Sequence, residues 1–264
     1  MKRALLLFVI FFALTTGTHA HPPDTLVVGM ELAYPPFEMA DEKGQPSGVS
    51  VDLARALGEF LKMKIELQNL PFDGLIPSLR TGKIDLILSS MTATPERAQT
   101  IDFSEPYLTT GLCILAGKNA HIATIADADR RGKTIAVKKG TTGHLYAAQH
   151  VREARVLVLD KESAAVLEVA QGKADAFLYD QMSVFKHWQQ NAETTRAVLK
   201  PFQEEHWAIG IRKGNDDLRR QVNAFLKDFR KKQGFGKLGD KWLKEQKEAF
   251  AKMGIPFFFE ESAQ

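Results

Sequence analysis

The sequence predicts an α/β chain made of two similar halves, each a largely parallel sheet with helices against it. Three observations carry this. Residues 82–107, GKIDLILSSMTATPERAQTIDFSEPY, read as a buried strand, a polar turn and a helix start. Residues 172–180, GKADAFLYD, echo that segment: Gly82 aligns with Gly172, Asp85 with Asp175 and Ser90 with Asp180. Each copy follows a helix-like stretch, Leu75–Arg80 in one and Ala164–Gln171 in the other. In open parallel sheets, ligands sit outside the carboxyl ends of the strands, so both echoes mark a binding edge.

Within 82–107, the apolar run Ile84–Leu88 is short and rich in branched aliphatics, as a buried strand is. Thr94 is placed to cap a helix, with Pro95 at its first position and an acid in the first turn. Arg97 falls in that turn, beside the hydroxyls of Ser89, Ser90 and Thr92. A guanidinium fork and the free N–H groups of a helix start suit a carboxylate. An ordinary strand–turn–helix with Arg97 paired to a surface acid fits the segment equally well. Asp180, facing from the other half, adds an ammonium receptor. It also stands where a cap for a helix from Gln181 belongs, and capping does not exclude ligand contact.

The length of 264 residues fits one large domain or two of ordinary size, and 44% hydrophobic with 25% charged residues marks a globular rather than a disordered chain. Lys2 and Arg3, the apolar run Ala4–Leu14 and small residues up to Ala20 read as a secretory signal peptide over 1–20. Removing it takes two cations and no acid, so the net charge falls from +3 to +1. That balance gives no case for nucleic acid or a charged membrane surface. The single cysteine, Cys113, lies in an apolar run and cannot form an internal disulfide.

Thr25–Gly29 is the first strand, and the loop after it carries Glu31, Tyr34 and the pair Pro35-Pro36, which forbids regular pairing. Glu31 and Tyr34 are candidates at the binding edge; a solvated acid and a packed aromatic are the alternatives. Ser50 is expected to cap a helix whose core stripe is Val51, Ala54, Leu57, Phe60 and Leu61. Ile65–Leu67 is the next strand. Asp73 is expected to cap the following helix, leaving Phe72 just before it to cover a ligand or pack in the core. Thr134–Val137 and Arg155–Leu159 are strands, and Gly140–Gly143 is a turn opening a helix. Met182–Gln189 is helical, with His187 and Trp188 as surface or packing residues. Leu218, Val222, Phe225, Leu226 and Phe229 share one face of a long helix; a second runs to about Met253, and Gly254 ends it.

Three blocks, VGMELAYPPFE (28–38), the stretch 71–107 and GKTIAVKKGTTG (132–143), together with GKADAFLYD, resemble the periplasmic amino-acid-binding proteins of ABC importers, polar amino acid class. The resemblance implies a two-lobed Venus-flytrap (type II periplasmic-binding-protein) fold with two hinge crossovers and no catalysis or cofactor. Lobe one would be 21–111 and 204–264, and lobe two 112–203. Leu112–Ala116 would cross out and His206–Arg212 would return. Arg97 would take the ligand α-carboxylate, helped by the backbone of Ser90, by Thr92 and by Thr142. Asp180 would take the α-ammonium, and Tyr34 and Phe72 would sandwich the carbon chain. Glu31 and Lys138 would face the ligand side chain. Basic-ligand members usually carry Asp at the place of Glu31 and a neutral residue at that of Lys138. The lysine therefore favours a polar uncharged ligand such as glutamine, then an acidic one, unless Lys138 points to solvent. The implied partners are a free amino acid and an inner-membrane permease, with a monomeric protein in the periplasm. Two other readings stay open. One is a periplasmic cyclohexadienyl-type dehydratase, for which Glu31 would be the candidate acid, though no metal spacing or nucleophile–base pair stands out. The other is a ligand-sensing module for a membrane receptor.

Overall fold

The structure, a computed structural model, describes residue 22 and residues 24–259. The expected signal peptide, residues 1–20, lies outside the described residues.

In chain order the elements are β1 (Thr25–Met30), β2 (Ala33–Tyr34), β3 (Glu38–Ala40), β4 (Pro46–Ser47), α1 (Val49–Leu61), β5 (Lys64–Asn69), α2 (Phe72–Thr81), β6 (Leu86–Ile87), α3 (Pro95–Ala98), β7 (Ile101–Phe103) and β8 (Leu108–Gly117). Then follow α4 (Ile125–Ala128), β9 (Thr134–Lys138), α5 (Thr142–His150), β10 (Arg155–Leu159), α6 (Glu162–Ala170), β11 (Ala176–Asp180), α7 (Gln181–Gln190), β12 (Thr195–Trp207), β13 (Gly210–Arg212), α8 (Asp216–Lys231), α9 (Gly234–Trp242) and α10 (Lys244–Lys252).

Two five-stranded sheets result, ordered β5-β1-β6-β13-β7 and β10-β9-β11-β8-β12, and β2-β3-β4 form a small third sheet. In the first sheet β5, β1 and β6 run parallel; in the second β10, β9 and β11 do. Each lobe thus presents strand carboxyl ends to the other.

The internal echo has a physical cause. Asp85 donates its N–H to Val27 O and accepts from Val27 N through Oδ2 at 3.0 Å. Asp175 does the same with Thr134, its Oδ2 accepting from Thr134 N at 2.8 Å. In both lobes an aspartate side chain extends the ladder of the first parallel strand. Gly82 and Gly172, at φ 77° and 70°, end the preceding helices in the left-handed region, where glycine carries no side-chain penalty.

The two lobes are joined by a ribbon. β8 and β12 pair antiparallel from Leu108–Trp207 to Gly117–Thr195, and Tyr107 and Ser104 continue the pairing to Trp207 O and Ile209 O. Residues 112–116, expected as the crossing itself, already lie inside the second sheet, paired with β11. The crossing is therefore nearer 104–111. The return is a single long strand, β12, that releases the chain to β13 in the first sheet.

Two expected caps are corrected. α1 starts at Val49 with Gly48 at the cap, and Ser50 lies in the first turn, where its hydroxyl donates to Glu38 instead. α2 starts at Phe72 with Pro71 at the cap, so Asp73 also sits inside the first turn. In each case backbone sterics set the start: Gly48 adopts φ 119°, and Pro71 provides its fixed φ of −56°. The expected last helix is two helices, α9 and α10, broken at Leu243. Core residues of α8, Val222, Phe225 and Leu226, join those of α1 in the main cluster of lobe one. Phe257 and Phe259 of the tail are buried in it. Trp188 packs on Phe185, and His187 Nε2 lies 2.6 Å from Glu162 Oε1. Cys113 is buried in lobe two. No helix among the described residues is long and apolar enough to cross a membrane.

Candidate ligand-binding site

Between the lobes lies a pocket of about 430 Å3 of space, part of it open to solvent. Of the nine residues expected at the site, eight line it: Glu31, Tyr34, Phe72, Ser90, Thr92, Arg97, Thr142 and Asp180. The ninth, Lys138, ends β9 and reaches the cavity through Glu31.

α3 is only one turn long, yet it fixes the guanidinium. Thr94 caps it, its Oγ1 accepting from Arg97 N at 3.2 Å, with Pro95 at the first position as expected. Arg97 is 6% exposed. Its Nη1 donates to Thr92 O at 2.7 Å and its Nη2 crosses the cleft to Gly140 O at 2.9 Å. Both partners are neutral carbonyls, and no carboxylate among the described residues lies within ion-pair distance of it. Burial pulls the guanidinium down to about 10, against the attraction of Glu205. A buried, unneutralised cation with donors to spare is a receptor for an anion. Thr142, the first residue of α5, adds a helix start on the opposite wall, where the dipole favours negative charge.

Asp180 does cap α7. Its Oδ1 accepts from Met182 N and Ser183 N at 3.0 and 3.1 Å. The same oxygen accepts from Tyr34 Oη at 2.6 Å, a bond between the lobes. Burial pushes Asp180 up to about 6, with Tyr34 pulling the other way. Oδ2 has no hydrogen-bond partner among the described residues. Tyr34 stacks on Phe37 with ring centroids 5.3 Å apart and meets Tyr179 and Trp207 edge-on. It is thus one ring of an aromatic cluster as well as a wall.

Phe72 sits between charges. Arg97 Cζ is 5.5 Å and Lys138 Nζ 5.6 Å from its ring centroid, both in cation–π range. Lys138 is 3% exposed, which excludes the alternative that it points to solvent. Its Nζ forms an ion pair with Glu31 Oε2 across the cleft. The Ser90 hydroxyl is turned onto Glu38 Oε2 at 3.0 Å, leaving its backbone groups for other partners.

Six further lining residues were not among the nine: Glu38, Ser89, Thr141, Tyr179, Glu205 and Trp207. Glu38 sits under three serine hydroxyls, and burial pushes it up to about 8. Glu205 is turned inwards by its strand. Glu204 and His206 are exposed while Glu205 and Trp207 are buried, the period-two pattern of a half-buried strand. A carboxylate in phase with a buried tryptophan belongs to the inner face.

The described residues also hold no group of three or more His, Cys, Asp or Glu fit for a metal ion. The cleft is a charged receptor: a cation and a helix start beside an acid, lined by aromatic rings.

A sequence profile of the bacterial extracellular solute-binding proteins, family 3, matches residues 26–245. The chain belongs to this family. Among known proteins, the L-cystine-binding protein TcyJ of Escherichia coli (strain K12) is 30% identical over 220 residues, 83% of this chain and 82% of that protein. A crystal structure of the ancestral amino acid-binding protein AncCDT-1, a precursor of cyclohexadienyl dehydratase, is 37% identical with a TM-score of 0.76, covering 83% of this chain and 95% of that one. An ancestral arginine-binding protein bound to glutamine is 34% identical with a TM-score of 0.77, covering 84% of this chain and 99% of that one. This family 3 protein therefore has the two-lobed architecture of amino-acid-binding proteins of ABC transporters.

Proposed function

We propose that the protein binds one free amino acid between its lobes and that the side chain it prefers is polar and uncharged, with glutamine first and an acidic side chain second. The observation that carries this is the Glu31–Lys138 pair, whose lysine is buried and whose glutamate is half-buried. The pair has no net charge and offers ammonium donors on one side and carboxylate acceptors on the other. A primary amide answers both: its carbonyl accepts from Lys138 and its NH2 donates to Glu31. A cationic side chain would have to displace Lys138 from Glu31 and then lie beside it. Arg97, with Thr92, Thr142 and the Ser90 backbone, takes the α-carboxylate. Asp180 takes the α-ammonium, and Tyr34 and Phe72 flank the chain.

In this reading residues 1–20 export the protein to the periplasm. It works as a monomeric, non-catalytic component of an importer and hands its ligand to a separate inner-membrane permease. Lobe one comprises 21–111 and 204–264, and lobe two 112–203. Ligand contacts both lobes only when they close, so it stabilises the closed form by its differential affinity.

The test is calorimetry on mature protein stripped of bound ligand by unfolding and refolding, with the standard amino acids and L-cystine as titrants. One or a few should bind, glutamine among the tightest. Arg97→Ala and Asp180→Ala should each weaken binding about 100-fold or more, because each leaves a ligand charge buried without its partner. Absence of heat with every titrant, from protein shown to be folded, would overturn the reading and move the search to cyclic dienyl carboxylic acids.

A further inference from the structure

Glu205 has no role in the reading above. It lies on β12, the strand that returns the chain to lobe one, and is 2% exposed. Its neighbours are the residues assigned to the ligand α-carboxylate. The hydroxyls of Thr142 and Thr92 bear on its carboxyl, and Arg97 attracts it. Yet Oε1 has no hydrogen-bond partner among the described residues. A buried carboxyl oxygen left without a partner is costly, and such groups recur where function requires them.

Resting on the amino-acid reading of this site, we propose that Glu205 is a specificity residue for the α-carboxylate: it binds as the neutral acid, donating its O–H to a ligand carboxylate oxygen, so that binding takes up a proton when the free site is ionised. Charge balance supports the neutral form. With a zwitterionic ligand seated, Arg97 offsets the α-carboxylate, Asp180 offsets the ammonium and Lys138 offsets Glu31. An ionised Glu205 would add an uncompensated negative charge next to the ligand carboxylate, in a closed cleft where such repulsion is poorly screened. A protonated Glu205 adds a short, charge-assisted donor instead. In the free protein burial, with Asp180 adding to it, already pushes its carboxyl up to about 7 against the pull of Thr142, Arg97 and Thr92. The same logic selects the ligand class, since an α-carboxamide or ester offers this donor no anion.

The titratable groups around Glu205 are Arg97 from α3, Asp180 and Tyr179 from β11, and Glu31, Glu38 and Lys138 on the cavity wall. On its own strand, Glu204 and His206 are exposed and paired with each other. Asp180 also titrates near 6, with the opposite linkage, since an incoming ammonium favours its ionised form. The test must therefore compare Glu205→Gln with wild type. Glutamine keeps a neutral donor at the position and cannot ionise.

The probe is the tightest of the standard amino acids or L-cystine in the calorimetric panel, titrated between pH 6 and 8 in two buffers of different ionisation enthalpy. Wild type should weaken about tenfold from pH 6 to 8, as the free site loses its proton through about 7, and should take up a fraction of a proton at pH 7. Glu205→Gln should bind within about threefold of wild type at pH 6 and lack this pH dependence, since an amide keeps the hydrogen bond and loses the titration. Proton release at pH 7 attributable to Glu205, or equal pH dependence in both proteins, would overturn the proposal. So would folded Glu205→Gln that no longer binds at pH 6. If Glu205→Gln does not fold, Glu205→Leu takes its place: it should bind more weakly at pH 6 and lack the wild-type pH dependence, and an unchanged pH dependence would overturn the proposal. Wild type that binds no probe overturns the amino-acid reading itself, a separate outcome from binding without linkage.

Discussion

Lys138→Met isolates the feature that sets the side-chain preference. The methionine fills a similar volume and packs on Phe72, but the ammonium is gone and Glu31 is left without its partner. Two charges about 4 Å apart at an effective dielectric near 20 interact by about 4 kcal/mol. The Glu31 side chain is 17% exposed, so water screens part of that. About 1–3 kcal/mol remains as the gain for a cationic ligand, or roughly 5- to 150-fold in affinity. Glutamine should move the other way by about 1 kcal/mol, through one lost hydrogen bond to its carbonyl. The arginine-to-glutamine affinity ratio should therefore rise by about 30-fold or more. Calorimetry of both ligands on wild type and variant measures it, with urea midpoints to show that the variant is folded. A ratio that does not change, in folded protein, would show that Lys138 does not reach the ligand side chain. Wild type that prefers arginine would refute the amide argument outright.

Two further outcomes test the frame around the site. Burial holds Glu38 at about 8, above its unfolded value near 4.5, so the folded state keeps a proton that the unfolded state loses. Its contribution to stability is present below about 4.5 and declines as pH rises towards 8; Glu38→Gln should flatten the fall in urea midpoint between pH 5 and 8, and a slope equal to wild type would contradict the assignment. Gly48→Ala should destabilise lobe one by about 2–4 kcal/mol, because φ is 119° and the added Cβ would stand 2.4 Å from Phe37 O. A thermal midpoint unchanged from wild type would show that the loop relaxes.

Local chemistry made much of this molecule readable. Thr94-Pro95-Glu96 is a helix start whatever surrounds it, and the structure caps it with the Thr94 hydroxyl. The 82–90 and 172–180 echo was readable because one backbone device, an aspartate closing the ladder of a first strand, recurs in each lobe. What escaped depends on tertiary placement. Ser50 has a good capping side chain, but a buried acid 12 residues earlier claims its hydroxyl. Glu205 enters the cleft only because the β12 ribbon turns that face inwards, and an isolated acid in a polar strand gives no sign of its depth. The fate of Lys138 depended on a partner 107 residues away. Spacing on one strand could name it a candidate but not pair it.

The same cross-cleft pairs bear on how the protein switches. Tyr34–Asp180, Glu31–Lys138 and Arg97–Gly140 O each join one lobe to the other, and each uses a side chain assigned to the ligand. Lys186 Nζ to Pro35 O and the Phe185–Phe250 edge contact join the lobes without such residues. Closure therefore has two components. One set of contacts uses no side chain assigned to the ligand. The other competes with ligand: an α-carboxylate draws donors from Arg97, an ammonium shares Asp180 with Tyr34, and a side-chain amide inserts between Glu31 and Lys138. A ligand contributes to closure only the difference between its own contacts and those it replaces. A side chain that fails to replace the Glu31–Lys138 pair leaves a buried ammonium and a half-buried carboxylate short of partners. The pair therefore selects among ligands by what it loses as much as by what it gains.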